Sequence, residues 1–254
     1  MNAVAFPGRP SRRRTLVPEP EPSQRVALVS GANRGLGFEV SRQLAVAGVT
    51  VLLGARRPLA GEKAARQLRR EGGTVLSVPL DVTSSASVRE LAARIEGEYG
   101  RLDILVNNAG AYFDADNQAS SANLDVVRQA LETNLLGAWQ LTEAMLPLMQ
   151  RHGYGRIVNV SSGCGANNSD GTSCPAYRVS KAALNSHTRM LAQELEGSGI
   201  LVNAVCPGWV ATDMGGHGGR PVAEGAAGIV WAAMLPSRPA IHGGFFRDRQ
   251  RIDW

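Results

Sequence analysis

The sequence predicts an α/β protein with a doubly wound parallel sheet of about seven strands and helices on both faces. Apolar segments of about four or five residues alternate with amphipathic stretches of about 12 to 20 residues from Arg25 onward. A glycine-rich segment also stands where the first strand meets the first helix. No linker or change of composition divides residues 25–254, so we expect one domain there.

The predicted strands are apolar segments bounded by glycine, proline or small polar residues, and each predicted helix carries an apolar face. In chain order, the strands are predicted over residues 26–29, 50–53, 74–78, 104–106, 157–160, 201–205 and 245–246. The helices are predicted over residues 35–47, 61–71, 85–99, 124–151, 177–196 and 223–235. Ser84, just before the third helix, is a typical N-cap residue.

Residues 1–24 differ from the rest of the chain because they are rich in proline, arginine and glutamate and lack apolar periodicity. They are predicted to form a disordered tail, and deletion of residues 2–23 is expected to leave the melting temperature unchanged. Five arginines and two glutamates give the first 25 residues a net charge of +3, out of +5 for the whole chain. The remainder is nearly neutral, without the basic stripe that nucleic-acid binding requires.

The sequence lacks the patterns that are typical of membrane, exported, disulfide-linked and metal-binding proteins. The chain has no apolar run long enough to cross a membrane, and no apolar stretch follows the arginine pair near residue 12, so export is not expected. Three cysteines without metal-ligand spacing fit a reducing compartment, so we predict a cytoplasmic protein with neither disulfides nor a metal site.

The segment from Gly31 to Gly37, Gly-Ala-Asn-Arg-Gly-Leu-Gly, follows the first strand and opens the first helix. Glycines let the backbone approach a pyrophosphate, and a helix N-terminus offers N–H donors to it. A glycine-rich turn that only packs helix on strand is the alternative. The position of the segment favours a dinucleotide site in a Rossmann-type fold.

The second strand ends at Gly54-Ala55-Arg56-Arg57, where a carboxylate would bind the free ribose 2′-hydroxyl of NAD. The chain offers no carboxylate there and places Arg56 instead, with Arg34 in the glycine segment. Two guanidinium groups suit a 2′-phosphate, so NADP is predicted rather than NAD. The alternative is that both arginines are simply solvated.

Tyr177 and Lys181 are four residues apart on a predicted helix and therefore share one face. Only two of the 27 basic residues are lysine and only four residues are tyrosine, so this spacing has a chance expectation of roughly 0.03. An ammonium group beside a phenol lowers the pKa of the phenol. The pair therefore indicates acid–base chemistry.

Further polar residues stand at the carboxyl ends of predicted strands, where ligands bind in open α/β sheets. Ser161 and Ser162 end the fifth strand, Asn107 and Asn108 the fourth, and Asp81 the third. Asp81 can either accept a hydrogen bond from an adenine amino group or serve the entry of the next helix. Asn134 lies in an apolar helical stretch, where asparagine is unfavourable unless its side chain is bonded.

These residues, with Pro207-Gly208, follow the order and spacing of short-chain dehydrogenases/reductases, which the chain resembles over about residues 25–254. The C-terminal part resembles the carbonyl reductase branch. The resemblance implies a catalytic set of Asn134, Ser162, Tyr177 and Lys181. Tyr177 is the general acid, Lys181 lowers its pKa and binds the nicotinamide ribose, Ser162 polarises the substrate carbonyl, and Asn134 links the proton relay to solvent.

The resemblance also implies a cofactor site, with Asn108 and Thr212 at the nicotinamide half. The residues that bind NADP(H) are then Gly31, Asn33, Arg34, Gly35, Leu36, Gly37, Arg56, Asp81, Val82, Asn108, Ala109, Gly110, Tyr177, Lys181, Pro207, Gly208, Val210 and Thr212.

The predicted activity is NADPH-dependent hydride transfer to the carbonyl of a small ketone or aldehyde, or alcohol oxidation in reverse, with Tyr177 as general acid/base. One alternative is a 3-oxoacyl-thioester reductase, which would need a basic surface for a carrier protein; Arg178 and Arg220 are the candidates. Another is a non-catalytic NADP sensor on the same fold, which would not need the acid.

A homodimer or homotetramer is predicted. Only 15 positions separate Ser162 from Tyr177, without the long helical insertion of monomeric animal carbonyl reductases. Phe245 and Phe246 are predicted on an edge strand, which is a liability if left in water. The helix over residues 124–151 also has more than one apolar face, formed by Leu131, Leu135, Leu136, Trp139, Leu141 and Met145.

Overall fold

The computed structural model describes residues 19–112, 114 and 117–254. Its centre is a sheet of eight strands, against about seven predicted, so the predicted fold class is confirmed. The strands are β1 (Val26–Val29), β2 (Thr50–Ala55), β3 (Val75–Pro79), β4 (Ile104–Asn107), β5 (Gly155–Val160), β6 (Ile200–Val205), β7 (Phe245–Arg247) and β8 (Gln250–Ile252).

The strands lie in the order β3-β2-β1-β4-β5-β6-β7-β8, and all but β8 run parallel to their neighbours. The chain moves outward from β1 to β3 and then crosses back to β4 on the other side of β1. A crevice forms at such a reversal, at the carboxyl ends of the strands. The loops after β1 and β4 both open there.

In the part of the chain that the structure describes, seven α-helices cover the sheet: α1 (Gly35–Val46), α2 (Pro58–Arg70), α3 (Ser85–Tyr99), α4 (Leu124–Leu131), α5 (Gly137–His152), α6 (Pro175–Glu194) and α7 (Val222–Ala233). Pro58 and Pro175 occupy the first turns of α2 and α6, which therefore begin earlier than predicted. The helix predicted over residues 124–151 is interrupted by a π-helical turn, Glu132–Leu136, which contains Asn134.

An apolar core lies on each face of the sheet. Along β1, Ala27 and Val29 join the core under α1, α2 and α7, whereas Val26 and Leu28 join the core under α3, α5 and α6. Successive side chains of a strand point to opposite faces, so a strand buried on both sides must be apolar throughout. This explains why β1 has no polar residue.

The prediction that Phe245 and Phe246 lie on an edge strand is wrong, because β8 pairs antiparallel with β7 and covers it. Asp248 and Arg249 form the turn between these strands with φ of 53° and 65°, left-handed values that are uncommon outside glycine. Both phenylalanines are buried within the chain. Phe245 stacks on Trp254, and Phe246 packs edge-on against Trp231.

Residues 19–24 of the predicted tail contact the domain. Glu19 accepts a hydrogen bond from the amide of Ser237 and lies 3.8 Å from Arg156, whose side chain is fully buried. It also lies 3.7 Å from Arg25. The predicted disorder of residues 1–18 lies outside the described residues. Because residues 19–24 contact the domain, we propose that the domain begins at or before residue 19, and deletion of residues 2–23 is now expected to lower the melting temperature.

Glu19→Gln tests this contact, because it removes the only carboxylate within ion-pair distance of Arg156 among the described residues. We expect a loss of about 1–2 kcal/mol in the free energy of unfolding, measured by urea denaturation. Asp125→Asn, which breaks an exposed ion pair with Arg128, is the control and should change it by less than about 0.5 kcal/mol. Equal effects of the two variants would contradict a special role for Glu19.

Candidate active site

Tyr177 and Lys181 lie one turn apart near the start of α6, at the carboxyl end of β5. The Lys181 Nζ is 5.7 Å from the centroid of the Tyr177 ring and donates a hydrogen bond of 2.8 Å to the carbonyl of Val160, the last residue of β5. The Lys181 side chain is buried. The helix and the strand end therefore hold the ammonium group beside the phenol, as the spacing predicts.

Burial affects the two groups in opposite directions. It raises the pKa of the Tyr177 hydroxyl above its usual value, and a hydrogen bond with Ser162 partly offsets this. It lowers the pKa of Lys181 to about 8, while nearby Cys206 acts in the other direction. At neutral pH the phenol therefore carries a proton that it can donate, and the lysine remains charged.

The lowered pKa of Lys181 makes stability depend on pH. Between pH 8 and 10.5 the unfolded chain binds more protons at this residue than the folded chain, so the free energy of unfolding rises with pH. Urea denaturation without cofactor gives the free energy of unfolding of the wild type and of Lys181→Met. The wild-type value minus the variant value should rise by about 1 kcal/mol per pH unit over this range. A pH-independent difference would mean that Lys181 is not perturbed.

The two serines after β5 have different surroundings. Ser162 lies close enough to Tyr177 to lower the pKa of its hydroxyl, and its Oγ accepts a hydrogen bond of 3.2 Å from the Cys164 amide. Ser161 is buried and donates to the side chain of Asn185 at 2.6 Å, away from the phenol. The geometry therefore favours Ser162 over Ser161.

Asn134 joins the loop after β4 to α6. Its Oδ1 accepts from the Ala111 amide at 2.7 Å, and its Nδ2 donates to the Ala111 carbonyl and to Ser180 Oγ, both at 2.9 Å. Ser180 in turn donates to the carbonyl of Tyr177 at 2.8 Å. A Cβ at Gly110 would lie 3.3 Å from Asn134 Oδ1 and 3.6 Å from Lys181 Nζ, so both polar atoms face the space that a side chain at this position would occupy.

The glycine segment forms one wall of the crevice. Gly31 and Gly35 have φ of 63° and 55°, which glycine adopts without strain. A Cβ at Gly37 would lie 2.7 Å from the Gly31 carbonyl oxygen, which is too close for a non-bonded contact. Glycine therefore lets the start of α1 pack closely against the turn. Asn108 ties this wall to the loop after β4, because its Nδ2 donates to the carbonyl of Ser30 at 2.8 Å.

The segment after β6 forms the opposite wall. Arg34 forms an ion pair with Asp213, and a Cβ at Gly35 would lie 3.6 Å from the methyl group of Thr212. Val210 and Leu36 both lie against Gly225 of α7. The structure thus brings together most of the predicted cofactor residues: Gly31, Asn33, Arg34, Gly35, Leu36, Gly37, Asn108, Ala109, Gly110, Val210 and Thr212. Pro207 and Gly208 follow β6, and Gly208 lies against Arg220 and Arg247.

Asp81 and Val82 have structural contacts. Asp81 Oδ1 accepts hydrogen bonds from the amide and hydroxyl of Thr83, at 3.0 and 2.8 Å, which matches the helix-entry alternative. Val82 is buried, and its side chain packs against the backbone of Gly137 at the start of α5. These contacts leave atoms of both residues that could also contact a ligand. We therefore keep a role toward adenine as a proposal.

An unpredicted lysine lies at the outer end of the crevice. A cavity of about 300 Å³ there is lined by Asn33, Arg34, Phe38, Ala60, Lys63, Ala64 and Gln67. Arg56 is exposed just beyond the end of β2. Lys63 is exposed on α2, and no pattern in the sequence singles it out, because the fold alone brings α2 to the glycine segment.

Three residues beside Tyr177 also have contacts that the sequence does not predict. The ring of Tyr112 packs edge-on at 5.1 Å between centroids, and burial raises the pKa of Tyr112 to about 12, with a further contribution from a hydrogen bond to Cys174. Asp114 Oδ2 accepts from the Ala176 amide at 2.6 Å. Arg178 contacts the loop that precedes α6. Tyr112 and Asp114 lie in irregular backbone, where periodicity gives no signal.

Within the described ranges, no group of three or more His, Cys, Asp or Glu side chains is arranged to bind a metal ion. None of the helices that the structure describes has both the length and the apolar composition needed to cross a membrane.

Comparison with known proteins agrees with this geometry. A family model described as short chain dehydrogenase matches residues 25–220. The chain is 34% identical to carbonyl reductase (NADPH) 1 of Bos taurus, with 90% of this chain and 98% of that protein covered. It is also 34% identical to (+)-neomenthol dehydrogenase of Arabidopsis thaliana, over 91% and 98%. The structure of NADPH-bound carbonyl reductase from chicken fatty liver has a TM-score of 0.80 at 28% identity, covering 91% of this chain and 99% of that one.

Proposed function

Because the chain belongs to the short-chain dehydrogenase/reductase family, we propose that it is an NADPH-dependent reductase of small ketones or aldehydes, with alcohol oxidation as the reverse reaction. The observation that carries this proposal is the protonated Tyr177 hydroxyl beside Ser162 and the Lys181 ammonium group, at the carboxyl edge of the sheet. An acid beside a hydrogen-bond donor is what carbonyl reduction requires.

The residues of the crevice fit a dinucleotide. Gly31 and Gly35 use left-handed backbone, and the close approach at Gly37 leaves the amides at the start of α1 open to a pyrophosphate. When bound, the nicotinamide supplies the hydride. NADP is favoured over NAD because Arg34 and Lys63 line the cavity at the outer end of the crevice, and β2 ends without a carboxylate and is followed by exposed Arg56.

We propose the catalytic roles that the family resemblance implies, and the contacts of these residues support them. Ser162 donates a hydrogen bond to the substrate carbonyl oxygen, and Tyr177 transfers its hydroxyl proton to the same oxygen as negative charge develops there. The Lys181 ammonium group stabilises the resulting phenolate. Asn134 keeps α6 at a fixed distance from the loop after β4, and we propose that it also orders the water that returns the proton.

The two rivals are less well supported. Arg178 donates to four oxygens of its own neighbouring loop, and Arg220 pairs with Asp248 at 2.5 Å and Glu224 at 3.5 Å. Both arginines were expected to attract an acidic carrier protein, but both are already bonded within the chain. A 3-oxoacyl-thioester reductase is therefore disfavoured. A sensor would not require an acid with this environment.

The proposed function is tested by NADPH oxidation against ketones, aldehydes, quinones and oxoacyl thioesters. We expect turnover with uncharged ketones or aldehydes. Turnover with oxoacyl thioesters alone would support the first rival. Tight NADPH binding without turnover of any carbonyl would support the sensor.

We also propose a cytoplasmic location and a homo-oligomer. The cysteines Cys164, Cys174 and Cys206 are all free, which fits a reducing compartment. Apolar side chains at least one-third exposed lie along α4 to α6 and the turn between α4 and α5: Leu124, Leu136, Trp139, Val179 and Met190. Leu141 and Met145, which were predicted to contribute, are buried in the core instead.

Light scattering at micromolar concentration should therefore give a mass of two or four chains, because pairing of these helices would bury their exposed apolar surface. Trp139→Glu should shift the protein toward monomers, whereas Leu59→Glu, an exposed residue on α2, should not. A wild-type mass near 26.9 kDa would contradict the oligomer.

A further inference from the structure

The loop between β5 and α6, residues 161–174, borders Tyr177 and has little regular structure of its own. It contains a single turn of 3-10 helix, Gly163–Gly165, and then a turn in which the Ser169 amide donates to the Ala166 carbonyl at 3.1 Å. It ends at Cys174, whose φ of 52° is left-handed and costs a non-glycine residue about 1 kcal/mol or more. Contacts from outside must hold the loop in this conformation.

Arg178 provides four of these contacts. Its Nε donates to the Ser173 carbonyl at 2.9 Å, and its Nη2 donates to the Asp170 carbonyl at 2.9 Å. Its Nη1 donates to Ser169 Oγ at 2.8 Å and to the Cys164 carbonyl at 3.5 Å. One planar guanidinium group thus reaches both halves of the loop, which a lysine ammonium could not do.

The opposite side of the loop is held by the segment after β4. Cys174 occupies the N-cap position of α6 but its side chain does not cap the helix, and buried Asp114 accepts from the Ala176 amide in its place. Gln118 pairs with Ser173 through an antiparallel bridge. Both segments beside Tyr177 are thereby fixed to the first turn of α6.

We propose that Arg178 is a positioning residue, which holds the 161–174 loop as a wall of the substrate site next to Tyr177 and Ser162. The inference rests on the proposed function, because it assigns the loop to substrate binding. Arg178 acts through the loop and touches neither the phenol nor the glycine segment. Its loss should therefore weaken substrate binding, while NADPH binding stays intact.

The test compares wild type with Arg178→Ala and Arg178→Lys, and uses Arg94→Ala as a control that removes a surface arginine with one ion pair. Arg178→Ala should raise KM about tenfold or more and change kcat less, because a misplaced wall mainly costs substrate binding. The Kd for NADPH should change less than about twofold. Guanidinium ion at low, non-denaturing concentration should partly restore KM, and Arg178→Lys should be intermediate.

Hydrogen exchange gives a second readout that does not need turnover. Amides of residues 163–174 should exchange about tenfold faster in Arg178→Ala, while those of β5 stay protected. If the wild type reduces no carbonyl but exchange of the loop is faster in Arg178→Ala, the proposed function fails while the role of Arg178 in holding the loop stands. Unchanged exchange and KM, or an equal loss of NADPH affinity, would overturn the role of Arg178.

Discussion

Replacing Tyr177 by phenylalanine should lower kcat for carbonyl reduction at least about hundredfold, because general acid catalysis contributes about 10²–10⁴-fold. Phenylalanine keeps the ring that packs against Tyr112 and removes only the hydroxyl whose proton is retained by burial. The neighbouring Lys181 would keep its bond to Val160, so the local backbone should not change.

The measurement is steady-state kinetics together with NADPH titration by fluorescence. The Kd for NADPH should remain within about threefold, since the effect is confined to the chemical step. Tyr99→Phe, at the end of α3, removes an equivalent hydroxyl far from the site and should leave kcat unchanged. Turnover by Tyr177→Phe near the wild-type rate would assign the proton donor to another group.

The fold follows from local pattern to a large extent. The apolar strands must be buried on both faces, and every predicted strand and helix is present in the described chain. The errors have physical causes. Pro58 and Pro175 start helices early. Strand β8 was not predicted because the turn before it, Asp248-Arg249, adopts left-handed φ without the glycine that marks such a turn in a sequence.

A residue of the site can be predicted from the sequence only where its type and its spacing from a partner have a single chemical explanation. Tyr177 and Lys181 meet this condition because lysine is rare in this chain and a helix places the two on one face. Asp81 does not, since a carboxylate after a strand can also serve a helix entry, and here it bonds to Thr83. Arg178 and Glu19 are ordinary surface types in sequence, and their importance comes from partners that only the fold supplies.

After the loss of turnover in Tyr177→Phe, the next largest effect that we predict is a change in cofactor selectivity when a single charged residue is replaced. Arg56 and Arg34 would each give a 2′-phosphate charge-assisted hydrogen bonds worth about 1.5–3 kcal/mol. Lys63 lies on the same side of the crevice, in the cavity that Arg34 lines. None of the residues that line the cavity is acidic. Arg34 is paired with Asp213, so a phosphate would replace that carboxylate as its partner.

Arg56→Asp should therefore weaken NADPH binding about hundredfold, because it replaces an attractive group with a repulsive one. The new carboxylate can accept a hydrogen bond from the free ribose 2′-hydroxyl, so NADH binding should stay constant or strengthen. Arg66→Asp makes the same change of charge on the exposed surface of α2 and should alter the NADPH to NADH preference by only a few-fold. Side-by-side Kd values for both cofactors decide the matter: an unchanged preference in Arg56→Asp would mean that Arg56 is only solvated and that selectivity lies with Arg34 and Lys63.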